Sequence, residues 1–343
     1  MKNLCIGDCH FGIKTNSTGW LAQQLNFFEK QIIPTIKTQN FDNIIFLGDL
    51  FDIRYAINQQ IGVEVKNLIR RISELFSGQI YFIAGNHDYY APIEELKQYN
   101  VYRLLFDYEF MDDHKNVHFV DDDPILLNDG SLLLPWYWTE NAEHFDELLY
   151  NYKFNKDVKC IYCHTDLTTW PGARTGALNG VPVYSGHIHY IIEDPIANLY
   201  NLGAAFSLTY ADVNQKRYVY IIENHKIIDK IENTTSPQFK HIYNEDIFKV
   251  DDSFFDNSYV YISISESNSN KAKYIERLKY IKFNNETTTL RIKVIDDEDV
   301  SMHINMANGE GFNTNVEKYI DDNIPDYLSE KYKLVKSKIE ELS

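Results

Sequence analysis

A chain of 343 residues with 44% hydrophobic and 14% aromatic side chains has material for one large folded domain and a smaller companion, which excludes a disordered polymer. A net charge of −17 excludes a basic protein that coats nucleic acid unaided, although residues 1–110 are close to neutral and the acidic excess lies further along. No apolar run reaches the ~20 residues that span a bilayer, and Met1–Asp8 meets an acid too soon for a secretory signal, so an unprocessed cytosolic protein is expected.

Lys2–Asp8 and Asn43–Asp49 are apolar runs that end in an acid, and Ile80–Asn86 is one that ends in an amide. Between them, Trp20–Gln39 and Ile57–Phe76 carry apolar residues at helical spacing. Pro34 is expected to kink or end the first of these helices early. This βαβαβ rhythm predicts parallel strands covered by crossover helices. Further strands are expected at Val117–Val120, Ser131–Trp136, Cys160–His164, Val181–Ser185, Asn198–Leu202 and Arg217–Glu223. Fewer helices separate these, so antiparallel strands in a second layer are expected. Asp121–Pro124 and Asn128–Gly130 read as turns. The pattern changes near Thr234–Pro237, after which Tyr259–Ser265, Lys271–Lys282 and Thr287–Ile295 read as a compact βαβ unit. Beyond Pro325, Leu328, Tyr332, Val335, Ile339 and Leu342 form a helical stripe. The domains expected are 1–235, 236–310 and a helical segment 311–343.

Four cysteines are too few for a disulfide framework. Cys160-x-x-Cys163 lacks a second pair at zinc spacing, and in a strand its members point to opposite faces. Buried thiols in a reducing compartment are the expectation.

Five short motifs each end a predicted strand. They are Gly7-Asp8-Cys9-His10, Gly48-Asp49-Leu50-Phe51-Asp52, Gly85-Asn86-His87-Asp88, Cys163-His164 and Gly186-His187-Ile188-His189. Ligands of open α/β sheets bind just beyond the carboxyl ends of strands, so all five point to one rim. Asp8, His10, Asp49, Asn86, His164, His187 and His189 form a mixed N/O donor set suited to borderline divalent metals. Seven donors are too many for one open tetrahedral site and suit two ions about 3.5–4 Å apart that share a carboxylate. With only two charged ligands the pair keeps a charge of about +2, which attracts a phosphate. Any one of these histidines alone reads as an ordinary hydrogen-bonded residue; the ordered set does not. His114, His118 and His144 sit in polar stretches and read as surface residues.

This ordered set resembles the calcineurin-like metallophosphoesterase superfamily. The resemblance implies two packed mixed sheets flanked by helices and a hydrolase of phosphoesters. It implies that Asp8, His10 and His189 hold one metal, that Asp49 bridges, and that Asn86, His164 and His187 hold the second. It further implies that His87 contacts the phosphate and assists the leaving group, with Asp52 orienting that histidine. The opening Gly-Asp-Cys-His-Phe-Gly, with Gly-Asp-Leu-Phe-Asp, looks like the SbcD-type double-strand-break repair nucleases. Leu134–Asn141 and Leu202–Thr209 are similar to the phage recombination endonuclease subunits. That likeness implies a homodimeric, manganese-dependent DNA nuclease with a capping domain, working beside an SbcC-like coiled-coil ATPase in the cytoplasm (the host's, if phage-encoded). Magnesium, iron or zinc are the other candidate ions, and no membrane partner is implied. The terminal stripe is either a docking helix for the ATPase or ordinary packing on the capping domain.

Two departures bear on activity. Many cellular nucleases of this type carry histidine where this chain has Asp52, which leaves the balance of exonuclease and endonuclease action open. Phosphoprotein phosphatases continue Asp-Arg-Gly where this chain has Asp52-Ile53-Arg54. A phosphomonoesterase or cyclic-nucleotide phosphodiesterase is therefore the weaker alternative, and a non-catalytic scaffold would be expected to have lost ligands.

Overall fold

The structure is a computed structural model that describes residues 1–295 apart from 92–95, 141, 152–155, 171–177, 179, 214, 266–270 and 285–288. The terminal stripe Leu328–Leu342 and the segment 311–343 lie outside the described residues.

The chain forms two compact units, the first Met1–Lys240 with Asn257–Tyr259, the second His241–Asp256 with the described chain from Val260. The first unit holds two six-stranded sheets. In chain order the strands are β1 (Lys2–Ile6), β2 (Asn43–Phe46), β3 (Gln79–Ile83), β4 (Val117–Val120), β5 (Ile125–Leu126), β6 (Ser131–Leu133), β7 (Cys160–His164), β8 (Val183–Gly186), β9 (Ile192–Asp194), β10 (Leu199–Asn201), β11 (Tyr218–Glu223) and β12 (Lys226–Glu232). One sheet runs β12-β11-β1-β2-β3-β4 and the other β5-β6-β7-β8-β10-β9. In the first, β1 to β4 are parallel, β11 runs antiparallel to β1, and β12 antiparallel to β11.

The second sheet differs from the expectation. Strands β6, β7, β8 and β10 are parallel, and only the edge strands β5 and β9 run the other way. The described residues of these crossovers form loops and helices of ten residues or fewer, so few helical signals mark them in the sequence.

Period-2 alternation builds the layers. Cys5, Ile45, Tyr81 and Ile83 of the first sheet meet Leu133, Cys160, Tyr162 and Tyr184 of the second in one buried cluster. The alternate residues Leu4, Ile6, Ile44, Phe46, Ile80 and Phe82 pack under the helices Thr18–Phe27, Ile33–Thr38 and Gln59–Leu75. Ile161, Cys163 and Val183 cover the outer face of the second sheet with Leu148 and Trp170. Each aliphatic side chain so buried contributes about 1.5–3 kcal/mol. Cys160 and Cys163 thus belong to different faces, and burial pushes both thiols up to about 12.

Pro34 does not end its helix. A π-helical turn at Phe28–Ile32 widens the chain just before it, and the helix continues to Thr38. The wider turn relieves the clash between the proline ring and the carbonyl four residues back. The Gln59–Leu75 helix starts where Asn58 Oδ1 accepts the main-chain N–H groups of Gln60 and Ile61. Among the described residues no helix is long and apolar enough to cross a membrane.

A three-stranded sheet, most of whose residues belong to the second unit, has the order β13 (Gln238–Tyr243), β14 (Ser258–Ser265), β15 (Thr289–Ile295). The helix Lys271–Asn284 joins the last two strands, and Ile242, Ile247, Phe255, Val260, Ile262, Tyr274 and Ile281 make a core of the unit's own.

Candidate metal centre

Strands β1, β2, β3, β7 and β8 all end at one rim, where their loops bring the seven donors together. Asp8, His10 and His189 have donor atoms close enough for one cation, as do Asp49, His164 and His187. Asp49 sits between the two groups, with Oδ2 at 3.7 Å from His10 Nε2 and 3.3 Å from His164 Nε2. The Asn86 amide oxygen lies 3.0 Å from His164 Nε2 and 2.8 Å from His187 Nδ1. Asp8 Oδ2 lies 3.9 Å from His10 Nε2 and 3.8 Å from His189 Nε2.

The backbone is bent to reach this arrangement. His10, Asp49 and His187 have φ of 48°, 47° and 78°, a left-handed conformation that side chains disfavour. Each such residue costs about 1–3 kcal/mol, and strain of this kind gathers at functional sites. The glycines beside them serve close approach. A Cβ on Gly85 would run into the Asp49 carboxylate and main-chain nitrogen, and one on Gly48 would run into the His164 ring.

Main-chain and carboxylate partners orient the rings. His164 Nδ1 donates to the Leu47 carbonyl at 2.7 Å, which leaves Nε2 as the coordinating nitrogen. His10 Nδ1 faces Asp52 Oδ1 at 3.2 Å, a charge pair rather than a well-aligned hydrogen bond. His87 Nδ1 donates to the Asp52 main-chain carbonyl at 2.5 Å. The orientation of His87 therefore comes from the backbone of Asp52, while the Asp52 carboxylate serves His10. This departs from the carboxylate–His87 pair expected from the sequence.

The donors fit cations on their own chemistry. His10 Nε2 faces His189 Nε2 at 3.0 Å, and His187 Nδ1 faces His164 Nε2 at 3.3 Å. Two ring nitrogens at that distance need a proton or a metal between them. In the metal-free protein protons fill that role. Burial opposes charge on His164, but Asp49 and Asp8 overcome it and push the ring up to about 9. Burial likewise opposes charge on His10, and Asp52, Asp49 and Asp8 raise it nonetheless. Against its own burial, Asp49 is held well below the usual carboxylate range by His164. Burial lowers His187 and His189, which favours their neutral, coordinating forms.

Sequence reasoning missed three supports. Asp88 is wholly buried, and its carboxylate accepts the N–H groups of Leu50 (3.1 Å), Phe51 (3.3 Å) and Gly85 (2.9 Å) and the Tyr102 hydroxyl (2.9 Å), tying the Asp49 loop to the Asn86 loop. Burial, then repulsion from Asp49, pushes this carboxyl up to about 7. Arg217, also buried, donates to the His189 carbonyl and pairs with Asp212 at 2.7 Å. Asp212 in turn accepts the N–H groups of Leu208 (2.7 Å) and Thr209 (2.9 Å). Gln24 Nε2 donates to the Cys9 carbonyl at 2.5 Å. Only the position of Asp88 inside Gly85-Asn86-His87-Asp88 signalled any of this.

The three histidines read as surface residues are not free of the fold. His114 is buried, with Nδ1 3.1 Å from Ser73 Oγ; His118 stacks on Tyr81 at 4.9 Å; His144 stacks on Trp138 at 5.0 Å. None joins the metal centre.

Leu134–Asn141 and Leu202–Thr209 brace the same rim. Trp136 N donates to the Ala84 carbonyl (2.8 Å), Ala204 N to that of His189 (3.1 Å) and Ala205 N to that of Asp8 (3.2 Å).

No curated protein matches the chain. A solved structure, that of TT1561 from Thermus thermophilus, is similar at a TM-score of 0.42 and 11% identity, covering 68% of this chain and 98% of that one, a likeness too distant to carry an argument. The calcineurin-like phosphoesterase family model matches residues 1–191, the span that holds all five motifs. With more than half of its length so matched, the chain belongs to the calcineurin-like phosphoesterase family, whose members hydrolyse phosphoesters with two divalent metals.

Proposed function

We propose that this chain is a metal-dependent DNA nuclease, a subunit of a recombination and double-strand-break repair complex. The observation that carries the hydrolytic part is the position of Asp49, whose one carboxylate oxygen stands between two separate donor groups. What supports DNA as substrate is the likeness of Leu134–Asn141 and Leu202–Thr209 to nuclease segments, together with their hydrogen bonds to the loops of Asp8, Asn86 and His189.

Asp8, His10 and His189 would hold one ion, Asn86, His164 and His187 the other, and Asp49 both. Two divalent cations, manganese foremost, supply positive charge that draws in and polarises a phosphodiester and lowers the pKa of water. The chain's own groups do the rest. His87 commits Nδ1–H to the Asp52 carbonyl, so in its doubly protonated form the Nε2–H is the proton it can give to the departing sugar oxygen, which leaves the neutral Nδ1–H ring. Asp88, Arg217 and Gln24 hold the loops so that the donors meet without rearrangement.

The proposal extends to a homodimer working with an SbcC-like coiled-coil ATPase in the cytosol. An acidic nuclease needs a partner to neutralise much of the DNA backbone charge. Four unpaired buried thiols suit a reducing compartment. The test is manganese-dependent cleavage of linear DNA against hydrolysis of a phosphate monoester, for the wild type, Asn86→Ala and His87→Ala. DNA cleavage lost in both variants supports the proposal; a monoester strongly preferred over DNA, or cleavage retained in both variants, overturns it.

A further inference from the structure

We infer that a cavity beside the metal centre is a stacking subsite for an unpaired base of single-stranded DNA; the inference rests on the nuclease reading above. The cavity has a volume of about 360 Å³ and is lined by Arg54, Tyr55, Tyr90, Tyr99, Arg103 and Leu104 among others. That volume falls within the range of small-ligand pockets, about 300–1,000 Å³.

Local structure sets these rings outward. Tyr89 bridges Asn100, and Tyr90 N donates to the Tyr99 carbonyl at 2.8 Å, so the two segments run as a short antiparallel pair. Alternation sends Tyr89 and Asn100 inward, where the Tyr89 hydroxyl reaches the Asp121 carbonyl at 2.8 Å. Tyr90 and Tyr99 then face solvent at 53% and 57% exposure, with Tyr55 at 79%. Among the described residues these three rings and Arg54 have no side-chain hydrogen bond, ion pair or ring contact, whereas Arg103 is held by Asp121 and Asp122. Three unpartnered tyrosines around one cavity are unusual for a surface that stays in water.

The position points to the substrate strand. Tyr55 is three residues beyond Asp52 and Tyr90 three beyond His87, no more than about 11 Å of chain in either case. A base in the cavity is therefore within a nucleotide or two of the phosphate at the metals. The chemistry fits an acidic protein. Stacking on aromatic rings needs no net positive charge and tolerates any base, and an unpaired arginine beside the rings adds cation–π contact.

The test is fluorescence anisotropy of a labelled thymidine oligonucleotide with the full chain, in EDTA so that nothing is cleaved. Tyr90→Ala and Tyr55→Ala are each expected to weaken binding by about 5- to 150-fold, while Tyr90→Phe stays near wild type. Manganese-dependent hydrolysis of bis(p-nitrophenyl) phosphate, which is too small to use the cavity, should not change. Unaltered oligonucleotide affinity in both alanine variants, or a wild type that binds no oligonucleotide, overturns the subsite. So does a shift in oligomeric state with no shift in DNA affinity, since the cavity would then serve a second copy of the chain. If the oligonucleotide binds through these tyrosines but the wild type cleaves no DNA, the nuclease reading fails and the subsite stands.

Discussion

Arg217→Met separates the support of the metal centre from its ligands. Arg217 and Asp212 are 4% and 5% exposed, so the substitution strands a buried carboxylate and removes one of the two donors to the His189 carbonyl, leaving the Ala204 N–H. Breaking a buried ion pair from one side costs about 3–5 kcal/mol. Asp212 keeps the Leu208 and Thr209 N–H groups as partners, which places this case near the lower figure. In a unit of this size each kcal/mol moves Tm by about 2–4 °C, so the metal-free variant should melt about 6–12 °C lower. Loosening the main chain of His189 should also weaken manganese binding, toward the lower end of the roughly 10–100-fold that loss of a group orienting a ligand costs. Calorimetric melting and manganese titration read the two effects. Adding Asp212→Asn removes the stranded charge and should recover part of the Tm without recovering the affinity. A Tm within about 1 °C of wild type, with unchanged manganese affinity, would refute the reasoning.

Gly85→Ala drives a Cβ into the Asp49 carboxylate and should lower metal-dependent hydrolysis by at least about 100-fold, since misplacement of about 1 Å costs that much; wild-type turnover would contradict the packing described. Asp88→Asn probes a carboxyl raised to about 7 in the folded, metal-free protein. Between the ordinary value of 3.8 and about 7 the folded state keeps a proton that the unfolded state has lost, so this group's contribution to stability falls as pH rises through that window. Denaturant melts should show the stability gap between wild type and Asp88→Asn narrowing from pH 4 to pH 7, and a constant gap sinks the claim. His164, raised to about 9, stabilises the metal-free fold below its ordinary 6.5 and loses that contribution as pH passes about 9. Metal must displace its proton, so manganese affinity should climb with pH up to that point. Titration calorimetry in buffers of different ionisation enthalpy should record proton release, and none would contradict the assignment.

The donor set was legible because each motif follows or ends an apolar strand, as Asp8 follows Leu4–Ile6 and His164 ends Cys160–His164. Strand period and the glycine before the donor are local signals, and local signals survive in a bare sequence. Arg217 and Asp212 leave no such trace, since their effect on His189 depends on a contact between distant segments. The same holds for His114, whose polar surroundings conceal a buried network with Ser73 and Asn116. Asp52 shows a subtler limit. The motif supplied the residue but not which of its atoms would face His87, and a single turn gave the carbonyl that place. The direction of β6, β7, β8 and β10 was misjudged because parallel crossovers without long helices look like antiparallel connections. Lys226–Glu232 escaped notice because its exposed, charged residues dilute the strand pattern.

Two donor groups sharing Asp49 suit two ions, and metal stoichiometry tests that most directly. Equilibrium dialysis of manganese against the wild type and Asp49→Ala, read by elemental analysis alongside phosphodiester hydrolysis, should give two ions per wild-type chain. The variant should hold fewer and lose turnover. A single tight ion in the wild type, or two ions and full activity in Asp49→Ala, would contradict the account.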